Sequence, residues 1–192
     1  MVNIYLIGCR CAGKTGAGQA LARRLGRPFR DSDLFVEEKN RMSVAAMVSE
    51  RGWEAFRRAE RDAVREICRE KDIVAAMGGG VVLDKKNVAD MKKTGILIWL
   101  RAAPETVRRR MEKDRRTESL RPSLTGAGAL EEIGEVLERR DPLCRAAADV
   151  RVDTDHLGVG EAAETALEKI RPWGIFETES DKKGGAEHGR AK

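Results

Sequence analysis

The hydrophobic and polar positions of the chain alternate in short blocks. Mainly apolar runs typical of buried strands lie at residues 3–7, 73–77, 96–100 and 150–152. Residues 27–30, which lead into an acidic stretch, are interpreted as a further short strand. Between these runs, helix-like patterns cover residues 18–25, 34–70, 84–93, 104–113, 129–148 and 160–170. Because strands alternate with helices, the pattern predicts an α/β fold of three α/β/α layers, with a five-stranded parallel sheet in the middle.

Three segments interrupt this pattern. The long helical stretch breaks near residues 41–43, where Ser43 is a suitable N-cap, and again at 51–52. Residues 114–128 are rich in Arg, Thr, Ser, Pro and Gly and sustain no apolar period, which predicts a mobile loop.

The length of 192 residues is sufficient for one domain with a substantial core. Beyond Trp173 the chain is rich in Gly, Lys and Glu, so we predict a folded domain over residues 1–172 and a disordered tail over 173–192. No apolar run reaches the length of a membrane span, and the chain enters a strand directly, without the features of a secretory signal. We therefore expect a cytoplasmic protein without a membrane partner.

The formal charge of +5 does not by itself indicate nucleic-acid binding. The 37 basic residues are interleaved with 32 acidic ones, a pattern typical of solvated helix faces. A small anionic substrate explains the mild basic excess better. We expect a monomer with no nucleic-acid partner.

The first strand leads into Gly8–Thr15, whose sequence GCRCAGKT matches the phosphate-loop pattern G-x-x-x-x-G-K-[ST] between a strand and a helix. The glycines let the backbone curl so that N–H groups and the helix N-terminus face phosphate oxygens. Lys14 is suited to reach the β- and γ-phosphates, and the Thr15 hydroxyl to ligate Mg²⁺. A glycine turn without a nucleotide is the alternative. The residues expected at the nucleotide are Gly8, Cys9, Arg10, Cys11, Ala12, Gly13, Lys14, Thr15 and Gly16.

The four cysteines are scattered, which excludes a disulfide framework in a chain without a secretion signal. Cys9 and Cys11 lack a second ligand pair at zinc spacing and are interpreted as small loop residues. A second hypothesis is that Lys14 and the helix N-terminus lower the pKa of a loop thiol and make it oxidisable.

A phosphate loop does not distinguish kinases from GTPases and motor ATPases. The GTPase signature N-K-x-D is absent, and the run at 73–77 ends in glycines rather than in a Walker B aspartate. Asp31 and Asp33, one residue apart in a predicted acidic loop at a strand end, are expected to point to the same side. One carboxylate can hold Mg²⁺ and the other can accept a hydrogen bond from a substrate hydroxyl. A helix-capping acid pair is the alternative.

Two further motifs suggest a site for a small carboxylate. Gly78–Gly80 follows a buried strand and lets a ligand approach the main chain closely. Arg57 and Glu60 share one helical face, so Glu60 can orient the guanidinium for bidentate binding of a carboxylate. A surface ion pair is the alternative for this second motif.

Six motifs in this order and spacing resemble those of the shikimate kinases: Gly8–Thr15, Asp31–Asp33, Gly52–Glu60, Gly78–Gly80, Leu120–Pro122 and Arg140–Leu143. The resemblance covers roughly residues 2–171. It implies a P-loop kinase fold with a mobile lid over about 114–128. It also implies ATP- and Mg²⁺-dependent phosphorylation of the 3-hydroxyl of shikimate, on the route to aromatic amino acids.

Carried over by position, the resemblance implies roles on the nucleotide side. Lys14 and Thr15 would serve the phosphates and Mg²⁺, with Asp31 assisting the metal. Arg121 would belong to the lid that closes over ATP and would join Lys14 in catalysis. Arg116 would lie near the adenine.

On the acceptor side, Asp33 would hold the hydroxyls of shikimate and act as the catalytic base. Arg57 and Arg140 would bind its carboxylate. The glycines that would back its ring are Gly78, Gly79 and Gly80.

The chain departs from the usual family pattern at Cys11, Gly16, Trp53, Ser123 and Cys144, none of which removes a charge that the chemistry requires. Another small-molecule P-loop kinase, such as a gluconate kinase, is the alternative among enzymes. A non-catalytic module that senses nucleotide or shikimate is the alternative outside them.

Overall fold

The computed structural model describes residues 2–113 and 132–174. These ranges contain five strands: β1 (Asn3–Ile7), β2 (Phe29–Asp31), β3 (Val74–Ala76), β4 (Gly95–Arg101) and β5 (Val150–Asp153). The strands form one sheet in the order β2-β3-β1-β4-β5, and all neighbouring pairs are parallel. The predicted five-stranded parallel sheet is confirmed.

The helices follow the predicted alternation with the strands. Two 3₁₀ turns cover Val81–Leu83 and Arg171–Trp173. The α-helices within the described ranges are α1 (Lys14–Leu25), α2 (Ser32–Asn40), α3 (Val44–Ile67), α4 (Lys85–Thr94), α5 (Pro104–Lys113), α6 (Ile133–Ala147) and α7 (Val159–Ile170).

Alternation along β1 divides the core between the two faces of the sheet. Ile4 and Leu6 belong to a cluster that includes residues of α1, α5 and α7. Tyr5 and Ile7 belong to a second cluster, with residues of α3, α4 and α6. All five residues of this central strand are buried, so the sheet is covered on both sides and the three-layer α/β/α prediction is confirmed.

Helices α2 and α3 pack on each other through a smaller apolar cluster that includes Val36, Met47 and Phe56. Ser43 caps α3 by accepting a hydrogen bond from the Ala46 N–H at 3.1 Å. Gly52 interrupts α3 with a φ of 78°, a left-handed conformation that favours glycine. Both breaks predicted in the helical stretch are therefore confirmed.

The acidic stretch after β2 differs from the prediction, which placed both aspartates in a loop. Helix α2 begins at Ser32, so Asp33 lies in its first turn. The side chain of Asp31 is the N-cap, accepting from the N–H groups of Asp33 at 3.1 Å and Leu34 at 3.4 Å. The hydrogen-bonding demand of a helix start removes the expected loop.

Several predictions fall on residues outside the described ranges. They are the lid over 114–128, with Arg116 and Arg121, the start of a helix at 129, and most of the tail over 173–192. Among residues 2–113 and 132–174, no helix combines the length and the hydrophobicity that crossing a bilayer requires.

Candidate active site

A cavity of about 460 Å³ opens at the carboxyl edge of the sheet. In open parallel sheets this edge is where the loops after the strands meet and ligands bind. Its walls include these residues predicted from the sequence: Arg10, Cys11, Gly13, Lys14, Thr15, Gly16, Asp31, Asp33, Arg57, Gly79, Gly80 and Arg140. Four other predicted residues in the described ranges, Gly8, Cys9, Ala12 and Gly78, are not part of the cavity lining.

The loop between β1 and α1 has the curled backbone of a phosphate site. Gly8 has a φ of 140°, and a Cβ there would collide with the carbonyl oxygen of Leu100, so only glycine fits. Lys14 donates from Nζ to the carbonyl oxygens of Gly8 at 3.0 Å and Cys9 at 2.7 Å, which holds its ammonium across the loop. The first turn of α1 contains no acidic residue, so the positive end of its dipole faces the cavity uncompensated by its own helix.

Two oxygen donors meet at the start of α1. The Thr15 hydroxyl donates to Asp31 Oδ2 at 2.9 Å, while Asp31 Oδ1 caps α2. Mg²⁺ prefers oxygen ligands and is usually held by one or two protein groups together with substrate phosphates and water. The Thr15 hydroxyl and Asp31 Oδ2 therefore form a pair that fits Mg²⁺ beside the phosphate loop. The alternative role of Asp31, capping a helix, is filled by its other oxygen, Oδ1.

The start of α2 is fixed to the end of β3. The N–H of Gly78 donates to Ser32 Oγ at 2.8 Å in a buried hydrogen bond. A Cβ on Gly78 would lie 2.7 Å from Asp33 Oδ1 and 2.8 Å from Glu60 Oε1. Glycine is thus required at position 78 because two carboxylates occupy the space beside its α-carbon. One carboxylate comes from α2 and the other from α3, so the two helices meet at this point of the cavity.

Arg57 is held on several sides. Its Nη1 donates to Glu60 Oε2 at 2.6 Å, and the guanidinium lies 5.4 Å from the Trp53 ring centroid and 5.1 Å from that of Phe56. Both guanidinium nitrogens would be 2.5 Å from a Cβ on Gly80. These contacts fix its position and leave its side chain 30% exposed to the cavity.

The partner of Arg57 is buried, which excludes the surface ion-pair alternative. Glu60 is only 2% exposed, and its Oε1 has no hydrogen-bond partner among the described residues. Burial raises the pKa of Glu60, while the neighbouring charge of Arg57 opposes that rise. A buried carboxylate of this kind orients a guanidinium far more strictly than an exposed one.

Arg140 reaches the cavity from α6. Its Nη1 donates to the carbonyl oxygen of Gly79 at 3.1 Å, and the residue is 8% exposed. Burial lowers the pKa of Arg140 to about 10, and repulsion from Arg57 and Arg10 adds to this. Two or more cations crowded at one end of a cavity favour an anionic ligand there.

A sequence profile described as shikimate kinase matches residues 10–171 of the chain. The chain belongs to the shikimate kinase family. Its match spans the cavity residues on both the phosphate-loop side and the arginine side, so the family was correctly recognised from the six motifs.

Individual relatives agree with this family assignment. A shikimate kinase of Syntrophus aciditrophicus is 38% identical over 177 residues, covering 88% of this chain and 91% of the relative. A shikimate kinase 2 of Syntrophotalea carbinolica is 43% identical over 146 residues, covering 76% and 84%. The solved shikimate kinase of Acinetobacter baumannii, in complex with shikimate, superimposes with a TM-score of 0.84 at 31% identity, covering 91% of this chain and 96% of that one.

One residue that sequence reasoning missed in this family member is Arg110. From α5 its Nη1 donates to the carbonyl oxygen of Cys11 at 3.2 Å and to Thr154 Oγ1 at 3.1 Å, and its Nη2 bonds the Thr154 carbonyl. It thereby ties the phosphate loop to the end of β5. No local signal identified it, because α5 carries several arginines that resemble a solvated face.

Val159 explains one departure from the usual family pattern. A Cβ on Gly16 would lie 3.1 Å from Val159 Cγ2, at the first turn of α7. Val159 is nevertheless 53% exposed, so it presents an apolar surface beside the phosphate loop. A side chain after Thr15 would thus press against a valine more than 140 positions away, a proximity that only the fold reveals.

The hypothesis of an activated thiol is wrong for Cys9. The residue is 6% exposed, and burial raises its pKa to about 11, against the opposing charge of Lys14. Cys144, which replaces a frequent tyrosine, is buried too, and its pKa is raised to about 12 for the same reason. Cys9 therefore fits the simpler interpretation of a small loop residue, and the activated-thiol hypothesis stays untested for Cys11.

Proposed function

We propose that this protein transfers the γ-phosphoryl group of ATP to the 3-hydroxyl of shikimate, giving shikimate 3-phosphate and ADP. Members of its family are phosphotransferases that use ATP with Mg²⁺. The observation that carries the proposal is the convergence of Asp33, Arg57 and Arg140 on one cavity with a phosphate loop. Shikimate is a small carboxylate with several hydroxyls, so it needs cations at one end and a hydrogen-bond acceptor at the other.

The two arginines are assigned to the substrate carboxylate. Arg57 is oriented by buried Glu60 and Arg140 by the carbonyl of Gly79, so neither must be ordered when the substrate binds. A guanidinium presents a planar pair of N–H donors that matches a carboxylate. Gly79 and Gly80 form the cavity wall between them, where a flat ring can lie against the main chain.

The reacting hydroxyl is assigned to Asp33. Its carboxylate can accept the hydroxyl proton as the oxygen attacks the γ-phosphorus. Lys14 would leave the carbonyls of Gly8 and Cys9 and stabilise the negative charge on the phosphoryl group during its transfer. The N–H groups of the loop would hold the phosphates. Thr15 and Asp31 would hold Mg²⁺, which would neutralise phosphate charge. We also propose Arg116 and Arg121 for the nucleotide, as the motif positions imply.

The proposal also covers the oligomeric state, location and partners of the protein. We propose a monomer in the cytoplasm, with a domain over residues 1–172 and no nucleic-acid or membrane partner. The interleaving of 37 basic with 32 acidic residues along the sequence supports the absence of a nucleic-acid partner. Sedimentation analysis of the purified chain tests the monomer directly.

The decisive experiment measures ADP release by the purified chain with shikimate and with gluconate in parallel. Turnover with shikimate, and product identified as shikimate 3-phosphate by phosphorus NMR, is the expected outcome. Turnover of gluconate alone would replace the proposal with the sugar-kinase alternative. Binding of ATP and shikimate without turnover would favour a sensing module.

A further inference from the structure

Arg10 lies where the nucleotide half and the acceptor half of the cavity meet. It belongs to the phosphate loop, and a Cβ added to Gly79 would lie 3.2 Å from its backbone nitrogen. The carbonyl of that glycine accepts the hydrogen bond from Arg140. The phosphate loop therefore connects the two halves of the cavity. It carries Lys14, and it also lies against Gly79, the glycine whose carbonyl accepts from Arg140.

The side chain of Arg10 leaves the loop toward α6, the helix that carries Arg140. Its Nη2 lies 3.8 Å from Glu132 Oε1, at the N-cap of that helix. Only 16% of the Arg10 side chain and 2% of the Glu132 side chain are exposed. The side chain of Arg10 therefore extends toward the helix that supplies Arg140, and both arginines line the cavity.

Arg10, Arg57 and Arg140 thus line one cavity. The charges of Arg57 and Arg10 both contribute to lowering the pKa of Arg140, after burial itself. Within the described residues, the buried carboxylates paired with these cations are Glu60 and Glu132. The three cations repel one another across the cavity, and a bound carboxylate would relieve that repulsion.

We propose that Arg10 is a third guanidinium of the acceptor site and makes the enzyme select acceptors that carry a carboxylate. This assignment differs from the nucleotide contact that its place in the phosphate loop suggests, and it rests on the proposed function. An uncharged acceptor would leave the mutual repulsion of the three guanidinium groups unrelieved, so selectivity arises from that repulsion as well as from attraction.

The test compares the wild type with Arg10→Ala and Arg10→Lys, using Arg58→Ala as the matched control. Arg58 is an arginine of α3 that is 68% exposed and paired with Glu54. KM is measured for shikimate and for ATP. The methyl ester of shikimate, which lacks the charge, is measured as an inhibitor competing with shikimate, whether or not it is turned over.

We expect Arg10→Ala to raise KM for shikimate about tenfold or more, and to change KM for ATP by less than about twofold. The inhibition constant of the ester should stay within about twofold, because it offers no charge to the lost guanidinium. KM for shikimate in Arg10→Lys should lie between the values of the wild type and Arg10→Ala, since an ammonium keeps the charge without the planar guanidinium. Arg58→Ala should match the wild type.

A rise in KM for ATP without one for shikimate would overturn the inference and return Arg10 to the nucleotide. Equal losses for shikimate and its ester would overturn it as well, because they would show a contact that ignores charge. Failure of the wild type to phosphorylate shikimate is seen before any variant is compared and refutes the proposed function instead. Should Arg10→Ala not fold by circular dichroism, Arg10→Lys and Arg10→Gln decide by the same criteria.

Discussion

The two edges of the sheet use polar groups in opposite ways. At the amino edge, the Tyr5 hydroxyl is 2.9 Å from Asn3 Nδ2 and 2.7 Å from Thr94 Oγ1. The Asn3 amide also donates to the Glu70 carbonyl at 2.8 Å and accepts from the Ile73 N–H at 3.2 Å. At this edge, each of these groups is satisfied by the protein itself.

The carboxyl edge instead concentrates charges that the protein satisfies incompletely. Arg57 and Arg140 repel each other there, and Glu60 keeps one buried oxygen without a partner in the described residues. Such an arrangement costs stability, since buried polar groups normally pair. The comparison teaches that polar groups at one edge stabilise the fold, whereas those at the other are held ready for a ligand.

The largest expected effect is the loss of turnover in Asp33→Asn. An amide cannot accept the hydroxyl proton, so we expect kcat to fall by about 1,000-fold or more while ATP affinity changes little. ADP release and nucleotide titration measure the two quantities. Asp62→Asn, an exposed position on α3, is the control and should behave as wild type. Near-normal turnover by Asp33→Asn would remove this aspartate from the mechanism.

Gly80→Ala and Gly95→Ala test the comparison directly, because each new methyl group would enter occupied space. At Gly80 the obstacle is the far end of the long Arg57 side chain, which is held by its contacts in the wild type but is 30% exposed and can shift into the cavity. At Gly95 the obstacles are the carbonyl of Asn3 and the ring of Tyr5, 2.6 Å away at Cε2, and neither can yield.

We therefore expect Gly80→Ala to raise KM for shikimate about tenfold and to change the free energy of unfolding by less than about 1 kcal/mol. Gly95→Ala should lower that free energy by about 3 kcal/mol and leave KM unchanged in the folded fraction. Urea denaturation and steady-state kinetics on both variants decide the matter. If each variant lost stability and affinity together, the two edges would not be separable.

Much of this arrangement is encoded locally and could be predicted from the sequence. Apart from β2, whose sequence is Phe-Arg-Asp, the strands are recognisable as mainly apolar runs, and Gly8–Thr15 carries its own chemistry in consecutive residues. Arg110 could not be found in this way, because its partners Cys11 and Thr154 are distant in sequence. The triple glycine was singled out for close approach by a ligand, and the structure adds that Asp33, Glu60 and Arg57 also require the space. Requirements of this kind depend on tertiary packing, which no local pattern contains.

Glu60→Gln should separate the two roles of the buried carboxylate. Because burial raises the pKa of Glu60 in the folded protein above its unfolded value, its contribution to stability is fully present below about pH 4 and is lost as pH rises through the folded pKa. Relative to Glu60→Gln, the wild type should therefore lose on the order of 1 kcal/mol of unfolding free energy between pH 4 and neutrality.

The same substitution should raise KM for shikimate severalfold, since the amide holds Arg57 less firmly than the carboxylate does. Glu54→Gln is the matched control, because Glu54 pairs with Arg58 while remaining 88% exposed. Urea denaturation across the pH range and kinetics at neutral pH measure the two effects. A wild type that gained stability over Glu60→Gln as pH rose would contradict the assigned direction of the pKa shift.

The smallest effect is expected from Tyr5→Phe, at the amino edge. The change removes one hydroxyl from between Asn3 and Thr94, but Asn3 keeps its bond to the Glu70 carbonyl and Thr94 its contacts with the carbonyls of Asp90 and Met91. The free energy of unfolding should fall by about 1 kcal/mol, the usual contribution of a buried hydrogen bond whose partners retain others. Turnover and both KM values should equal those of the wild type, because the hydroxyl lies at the edge of the sheet opposite the cavity. A change in KM for shikimate would show that the amino edge also shapes the acceptor site. The division of roles between the two edges would then fail at Tyr5, a residue whose hydroxyl is fully hydrogen-bonded within the protein.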